Sequence, residues 1–225
     1  MKDGPSIVGI AAVIGDHARA AMLTLLMGGR ALTATELVRA AGITKQTGSA
    51  HLRKLLDSRL IAMEPQGRHR YFRIASEEVA HLLESLMGVA FDLNTDRHRT
   101  GPRDPALRKA RVCYDHLAGE LGVAIYERLQ GRRAFENTAA GIELSSAGRQ
   151  LLDAFGVDVA SMAKQRRVPC RVCMDWSERR HHLAGAVGAA VLNRILELHW
   201  AVRDRRSRVV HLRPAGERAL QKLFR

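Results

Sequence analysis

The stretch "ITKQTGSAHLRKLLDSRLIAMEPQGRHRYFRI", residues 43–74, decides the fold of the first half of the chain. Thr44 is suited to cap a helix N-terminus, because its hydroxyl can accept from a backbone N–H that the first turn leaves without a partner. Leu52, Leu55 and Leu56 then fall on one helical face, and Lys45, Gln46, Ser49 and Arg53 fall on the opposite one. After this helix come two β-prone runs around Pro65, Gln66 and Gly67, with Arg68, His69 and Arg70 bunched at the tip. That pattern predicts a hairpin. Upstream, "TATELVRAAG" places Thr33 and Glu36 at capping-box spacing and ends at Gly42, so a second, short helix precedes the first across a tight turn. Still earlier, Met22, Leu23, Leu26 and Met27 recur at helical spacing before Gly28 and Gly29. Helix, turn, polar-faced helix and basic hairpin follow one another in order.

The charge falls on the same segment. Between Thr44 and Arg73 there are seven basic residues against two acidic ones. The whole chain of 225 residues has a formal net charge of +13, with 13 basic and 10 acidic residues up to Gly101 and 23 and 13 beyond it. Such an excess favours a polyanionic partner, nucleic acid or an anionic membrane surface. "IVGIAAVIG", from Ile7, is too short for a membrane span and lacks the flanks of a secretion signal. Three cysteines, an odd number without such a signal, suit a reducing compartment. The expectation is a cytoplasmic protein with no membrane partner.

A solvated helix face beside a charged turn explains any one of these features alone, whereas the ordered set has a different physical logic. Basic groups on the hairpin and helix flanks fix a protein on the phosphate backbone, and short polar side chains at the helix start reach base edges in the major groove. The residues expected to meet double-stranded DNA are Thr44, Lys45, Gln46, Thr47, Ser49, His51, Arg53, Lys54, Arg68, His69 and Arg70.

Thr47, Ser49, His51, Leu52, Leu55, Gly67, Arg68 and Tyr71 are the residues through which this segment resembles the winged helix-turn-helix of the ArsR/SmtB repressors. The likeness covers about residues 10 to 90. It implies a homodimeric, operator-binding transcriptional repressor released by an effector. Two metal sites known in that family are not matched here. Glu36 and Leu37 are followed by Val38, Arg39 and Ala40 where metal-sensing members carry a Cys-x-Cys. His81 and Glu84 have the spacing of half of the family's dimer-helix site, but the Asp-x-His that completes it is missing. The apolar stripe Val79, Leu82, Leu83, Leu86 and Met87, together with Ile7 to Ile14, is the expected dimer surface.

The second half repeats itself. "RVCYDHLAGELG" from Arg111 returns as "RVCMDWSERRHHLAGAVG" from Arg171, and Leu144 to Gly148 corresponds to Leu212 to Gly216. An internal duplication is the simplest account. Residues 1–91 are thus read as the DNA-binding and dimerisation domain, 92–104 as a linker, and 105–225 as a duplicated sensor or dimerisation domain with repeats at about 105–160 and 165–225. Each repeat reads as a small-residue helix through the HLAGxxG phrase, a short β-hairpin and a second helix, the two small-residue helices packing on each other through Ala118, Gly119, Gly122, Ala184, Gly185 and Gly188. The fold class is therefore mainly α with small β-hairpins (α+β).

Chemistry-bearing residues recur with the repeat. Cys113 matches Cys173, Asp115 matches Asp175, and His116 matches His182, while Cys170 adds a third thiol flanked by Arg167 and Arg171, which would lower a thiol pKa. These seven residues are candidates for holding a soft metal or metalloid, or for a redox-sensitive thiol pair. Two bland readings stand beside that one, buried cysteines acting as small apolar groups and aspartates capping helices. Tyr114, Trp176, His181 and His182 offer a further reading, the lining of a pocket for a small organic effector. No cofactor is specified by the sequence beyond that possible metal at the cysteines. A transcriptional regulator and not an enzyme is the expected function; the alternatives are a thiol- or metal-dependent oxidoreductase and a sequence-tolerant architectural DNA-binding protein.

Overall fold

The computed structural model describes residues 7–67, 69–93, 102, 104–139, 141–162 and 167–223, so most of the expected linker and Arg68 lie outside the described residues. The chain divides into two compact units, Met1–Glu84 and Ser85–Arg225.

The first unit runs α1 (Ile7–Ile14), α2 (His17–Leu26), β1 (Leu32–Thr33), α3 (Ala34–Ala41), α4 (Lys45–Asp57), β2 (Ile61–Gln66) and β3 (His69–Ile74). Its three strands form an antiparallel sheet in the order β1-β3-β2, with Leu32 opposite Phe72 and Gln66 opposite His69. The caps seen in the sequence are real. Thr33 and Glu36 form a reciprocal capping box, Gly42 closes α3 in the left-handed conformation, and the Thr44 side chain accepts from the Thr47 N–H at the start of α4. Met22, Leu23, Leu26, Leu37, Leu52, Leu55, Phe72 and Ile74 are buried together as the core, each such side chain contributing about 1.5–3 kcal/mol relative to exposure. Gly48, on the buried face of α4, faces Val38 of α3 so closely that a Cβ there would strike the valine methyl. The crossing of the two helices depends on that missing side chain. By contrast α1 buries none of its residues, and Ile7 and Val8 are 81% and 76% exposed.

α5 (Glu77–Leu93) carries the chain across the division between the units. The second unit then runs α6 (Pro105–Lys109), β4 (Arg111–Cys113), β5 (His116–Ala118), α7 (Glu120–Gly131), β6 (Phe135–Thr138), β7 (Gly141–Leu144), α8 (Ser146–Ala154), α9 (Val159–Met162), β8 (Arg171–Met174), β9 (His181–Ala184), α10 (Gly185–Glu197), β10 (Ala201–Arg203), β11 (Val210–Leu212) and α11 (Pro214–Leu223). Hairpin, helix, hairpin, helix occurs twice, as β4-β5-α7-β6-β7-α8 and β8-β9-α10-β10-β11-α11. The second hairpin and last helix of each repeat lie where the sequence places them.

The start of each repeat differs from the sequence reading. His-Leu-Ala is a strand, not the first turn of a helix, and pairs with the Arg-Val-Cys strand before it. Gly119 and Gly185, at φ 81° and 78°, turn the chain from strand into helix, a conformation that L side chains rarely adopt. Nor do the small residues bring two helices together. α7 packs over β9 of the other repeat, α10 packs over β5, and β5 and β9 lie side by side. Each helix thus covers its partner's hairpin. Val112, Leu117, Ile125, Leu129, Leu152, Val187, Leu192 and Ile195 belong to one buried core shared by both repeats.

Candidate nucleic-acid interface and a buried thiol-imidazole cluster

α4 displays its polar face to solvent. Thr44, Lys45, Gln46, Thr47, Ser49, Arg53 and Lys54 are all exposed, as are His69 and Arg70 at the start of β3. The helix start is ordered by local hydrogen bonds, Thr44 Oγ1 to Thr47 Oγ1 at 2.9 Å and Ser49 Oγ donating to the Lys45 carbonyl at 3.0 Å. A capped, pre-formed helix with protruding short polar and long basic side chains can enter a major groove without first paying to order itself.

His51 departs from the expected DNA contacts, because its ring turns inward. Its Nδ1 lies 3.0 Å from Arg19 Nη1 and 3.7 Å from Asp16 Oδ1. Arg19 itself is 7% exposed and donates to the backbone carbonyls of Val13 and Ala12 at 2.5 and 2.9 Å. A guanidinium only donates, so His51 Nδ1 accepts, and a neutral ring keeps its proton on Nε2. This network ties α1, α2 and α4 together, and the signal for it in the sequence is an arginine within an otherwise apolar helix.

In the second unit, the repeat register makes the cluster. Cys113 is the cross-strand partner of His116 in β4-β5, and Cys173 that of His182 in β8-β9. Opposed residues of an antiparallel pair point to the same face. With β5 beside β9, the two faces meet, and one ligand atom from each of Cys113, His116, Cys173 and His182 lies within 4.8 Å of every other. All four residues are buried. Gly188 permits the close approach, since a Cβ there would lie 3.2 Å from His116 Cβ of the other repeat as well as meet the Leu183 carbonyl, while a Cβ at Gly122 would meet the Leu117 carbonyl of its own repeat.

The aspartates stand behind the imidazoles rather than among the four groups. Asp115 Oδ1 is 3.1 Å from His116 Nδ1, and Asp175 Oδ2 is 3.3 Å from His182 Nδ1. Each carboxylate is matched by an arginine, Arg167 Nη1 at 2.6 Å from Asp115 and Arg111 Nη2 at 2.7 Å from Asp175. Asp175 also accepts from the backbone N–H groups of Gly119, Ser177 and Glu178, and Arg111 lies over the Trp176 ring at 4.5 Å. Burial alone would raise the Asp175 pKa, but His182, Arg111 and the Gly119 N–H outweigh it and hold the carboxyl well below the usual range. Burial likewise opposes charge on His116, yet Cys113 and Asp115 beside it raise its pKa to about 10.

Cys170 is not part of this group. It sits in the hydrophobic core, where burial pushes its thiol up to about 11, contrary to the lowering expected from Arg167 and Arg171. Arg167 is turned to Asp115 instead. His81, considered with Glu84, lies 3.7 Å from Glu77. Sequence reasoning did not find the roles of Arg111 and Ser177, whose hydroxyl lies 2.9 Å from Arg111 Nη1 and 2.8 Å from Asp175 Oδ1.

The winged arrangement of α3, α4 and the β2-β3 hairpin defines a helix-turn-helix protein, and residues 14–64 match a family described as a helix-turn-helix domain. Over 218 residues, 97% of this chain and 96% of the relative, the sequence is 37% identical to the HTH-type transcriptional regulator YdfF of Bacillus subtilis (strain 168), and the chain belongs to this family of HTH-type transcriptional regulators. Among solved structures, the homodimeric winged helix-turn-helix DNA-binding domain of Mb0332 from Mycobacterium bovis, described as a possible ArsR-family regulator, is 27% identical with a TM-score of 0.37 and covers 43% of this chain and 87% of its own. Rv0081 of Mycobacterium tuberculosis is 22% identical with a TM-score of 0.37 and covers 42% and 98%. Among the described residues no single helix is long and apolar enough to cross a membrane; α1 and α2 together have the composition but are bent by 88°.

Proposed function

We propose that this transcriptional regulator is a homodimeric, operator-binding repressor of the ArsR type, released when an effector acts on the duplicated second unit. The observation that carries the DNA-binding assignment to particular residues is the exposed polar face of α4, from Thr44 to Lys54, next in the chain to a hairpin that exposes His69 and Arg70. Phosphate contacts come from Lys45, Arg53, Lys54 and Arg70, and base-edge readout from Gln46, Thr47 and Ser49. Dimerisation is supported by the exposed apolar residues of α1, Ile7 and Val8, and of α5, Leu82, Leu86 and Val89. A two-fold dimer then offers one α4 to each of two successive major grooves.

The second unit acts as the receiver of a signal rather than as a catalyst. The four residues of its cluster are buried, which suits binding better than turnover. The test is binding of the full chain to labelled duplex from the promoter immediately upstream of its own gene, against random duplex of equal length at moderate salt. Tighter binding to the promoter is expected; equal binding overturns the repressor reading and leaves a sequence-tolerant DNA binder.

A further inference from the structure

Two buried imidazoles, one from each repeat, face one another in the second unit. His116 Nε2 and His182 Nε2 are 3.2 Å apart, while each Nδ1 is turned to a carboxylate. A carboxylate beside each Nδ1 leaves Nε2 facing the other ring and the two cysteine side chains, the arrangement in which a ligating histidine is held. Both cysteine sulfurs converge on the same point as the two imidazole nitrogens.

We infer that Cys113, His116, Cys173 and His182 bind one tetrahedral Zn(II) ion, two ligands from each repeat. The geometry of the donors fits the ion. Tetrahedral zinc with bonds of about 2.0–2.1 Å to nitrogen sets its two nitrogens about 3.3 Å apart, close to the 3.2 Å observed. Sulfur ligands at about 2.3 Å lie somewhat further from their neighbours, still inside the 4.8 Å that encloses all four ligand atoms. The charges also balance. On binding, the thiols enter as thiolates and the protons of the cluster pass to solvent, so the dication and two thiolates sum to zero. Asp115 and Asp175 are each neutralised by an arginine, and the whole buried assembly carries no net charge.

The duplication gains a purpose from this. One repeat supplies only a Cys and a His on a hairpin of three- or four-residue strands; two repeats supply a complete set. Cys170 stands outside, despite its Cys-x-x-Cys spacing with Cys173.

The experiment titrates Co(II) into the full chain after chelation under reducing conditions, with zinc content then measured by mass spectrometry. The expected result is saturation at one ion per chain, intense visible absorption of tetrahedral cobalt, thiolate-to-cobalt charge transfer in the near ultraviolet, and loss of both bands on adding Zn(II). Cys113→Ser and Cys173→Ser should each weaken the charge-transfer band and the affinity, and Cys170→Ala should keep stoichiometry and spectrum. Asp115→Asn should keep the spectrum and lose about 10–100-fold in affinity. A weak, six-coordinate spectrum without charge transfer in the wild-type chain overturns the assignment, whatever the variants do, and so does loss of the band in a folded Cys170→Ala. Promoter binding by the metal-free chain is measured separately. Its absence bears on the repressor reading and not on the cobalt spectrum.

Discussion

His116 of the first repeat and His182 of the second, 66 residues apart in the chain, meet in the buried centre of the second unit with their Nε2 atoms 3.2 Å apart. Their meeting is produced by an exchange, each repeat's helix lying over the other repeat's hairpin, and it fixes the demands on the residues around it.

Glycine is one such demand. A methyl group at Gly122 or Gly188 collides with a backbone carbonyl, and at Gly188 it also crowds His116 of the other repeat. Gly122→Ala and Gly188→Ala should each lower stability by about 1–3 kcal/mol, read as a shift of the urea midpoint of the second transition in the full chain, whereas alanine at the exposed Gly131, which has open space around it, should move the midpoint far less.

The buried ion pair makes a second demand. Arg111 and Asp175 are fully buried, and removing one partner leaves the other charge without compensation. Arg111→Met should cost about 3–5 kcal/mol, and the double variant Arg111→Met with Asp175→Asn should cost less than the sum of the two single changes. A double-mutant cycle by denaturant unfolding gives the coupling directly.

His51 separates fold from function in the first unit. Because its ring serves Arg19 rather than solvent, His51→Ala should lower stability by about 1–3 kcal/mol while the folded protein keeps its affinity for promoter DNA. Thermal unfolding and fluorescence anisotropy on the same preparation distinguish this from a direct DNA contact, which would lower affinity at unchanged stability.

Readout of bases is expected from the start of α4. Gln46→Ala should relax discrimination between promoter and random duplex by about 1–3 kcal/mol at one base position, measured by competition with single-base variants of the bound sequence.

The first unit was legible because its signals are local. Thr33 with Glu36, Thr44 before a polar-faced helix, and Gly67 between β-prone runs each fix a boundary through a hydrogen bond or a turn within a few residues, although Pro65 and Gln66, expected in the turn, pair within the sheet with Arg70 and His69. His51 was misplaced because helical spacing alone puts it near the polar stripe, and only the fold brings Arg19 against it. In the second unit the duplication paired Cys113 with Cys173 and His116 with His182. The hairpins that seat them went unseen, since strands of three and four residues leave no periodicity and the left-handed Tyr114, at φ 61°, gives no turn signal in the sequence. Cys170 misled through spacing alone. Three residues along the chain from Cys173, it precedes the strand and falls into the core, where burial outweighs the lowering by Arg149.

The most direct test of the DNA-binding account is the salt dependence of binding to promoter duplex by the full chain, wild type against Lys45→Ala with Arg53→Ala. Each lost phosphate contact should reduce the slope of log affinity against log salt by about 0.9, so the double variant should fall by about 1.8. Equal slopes for the two proteins would contradict the placement of α4 on the duplex.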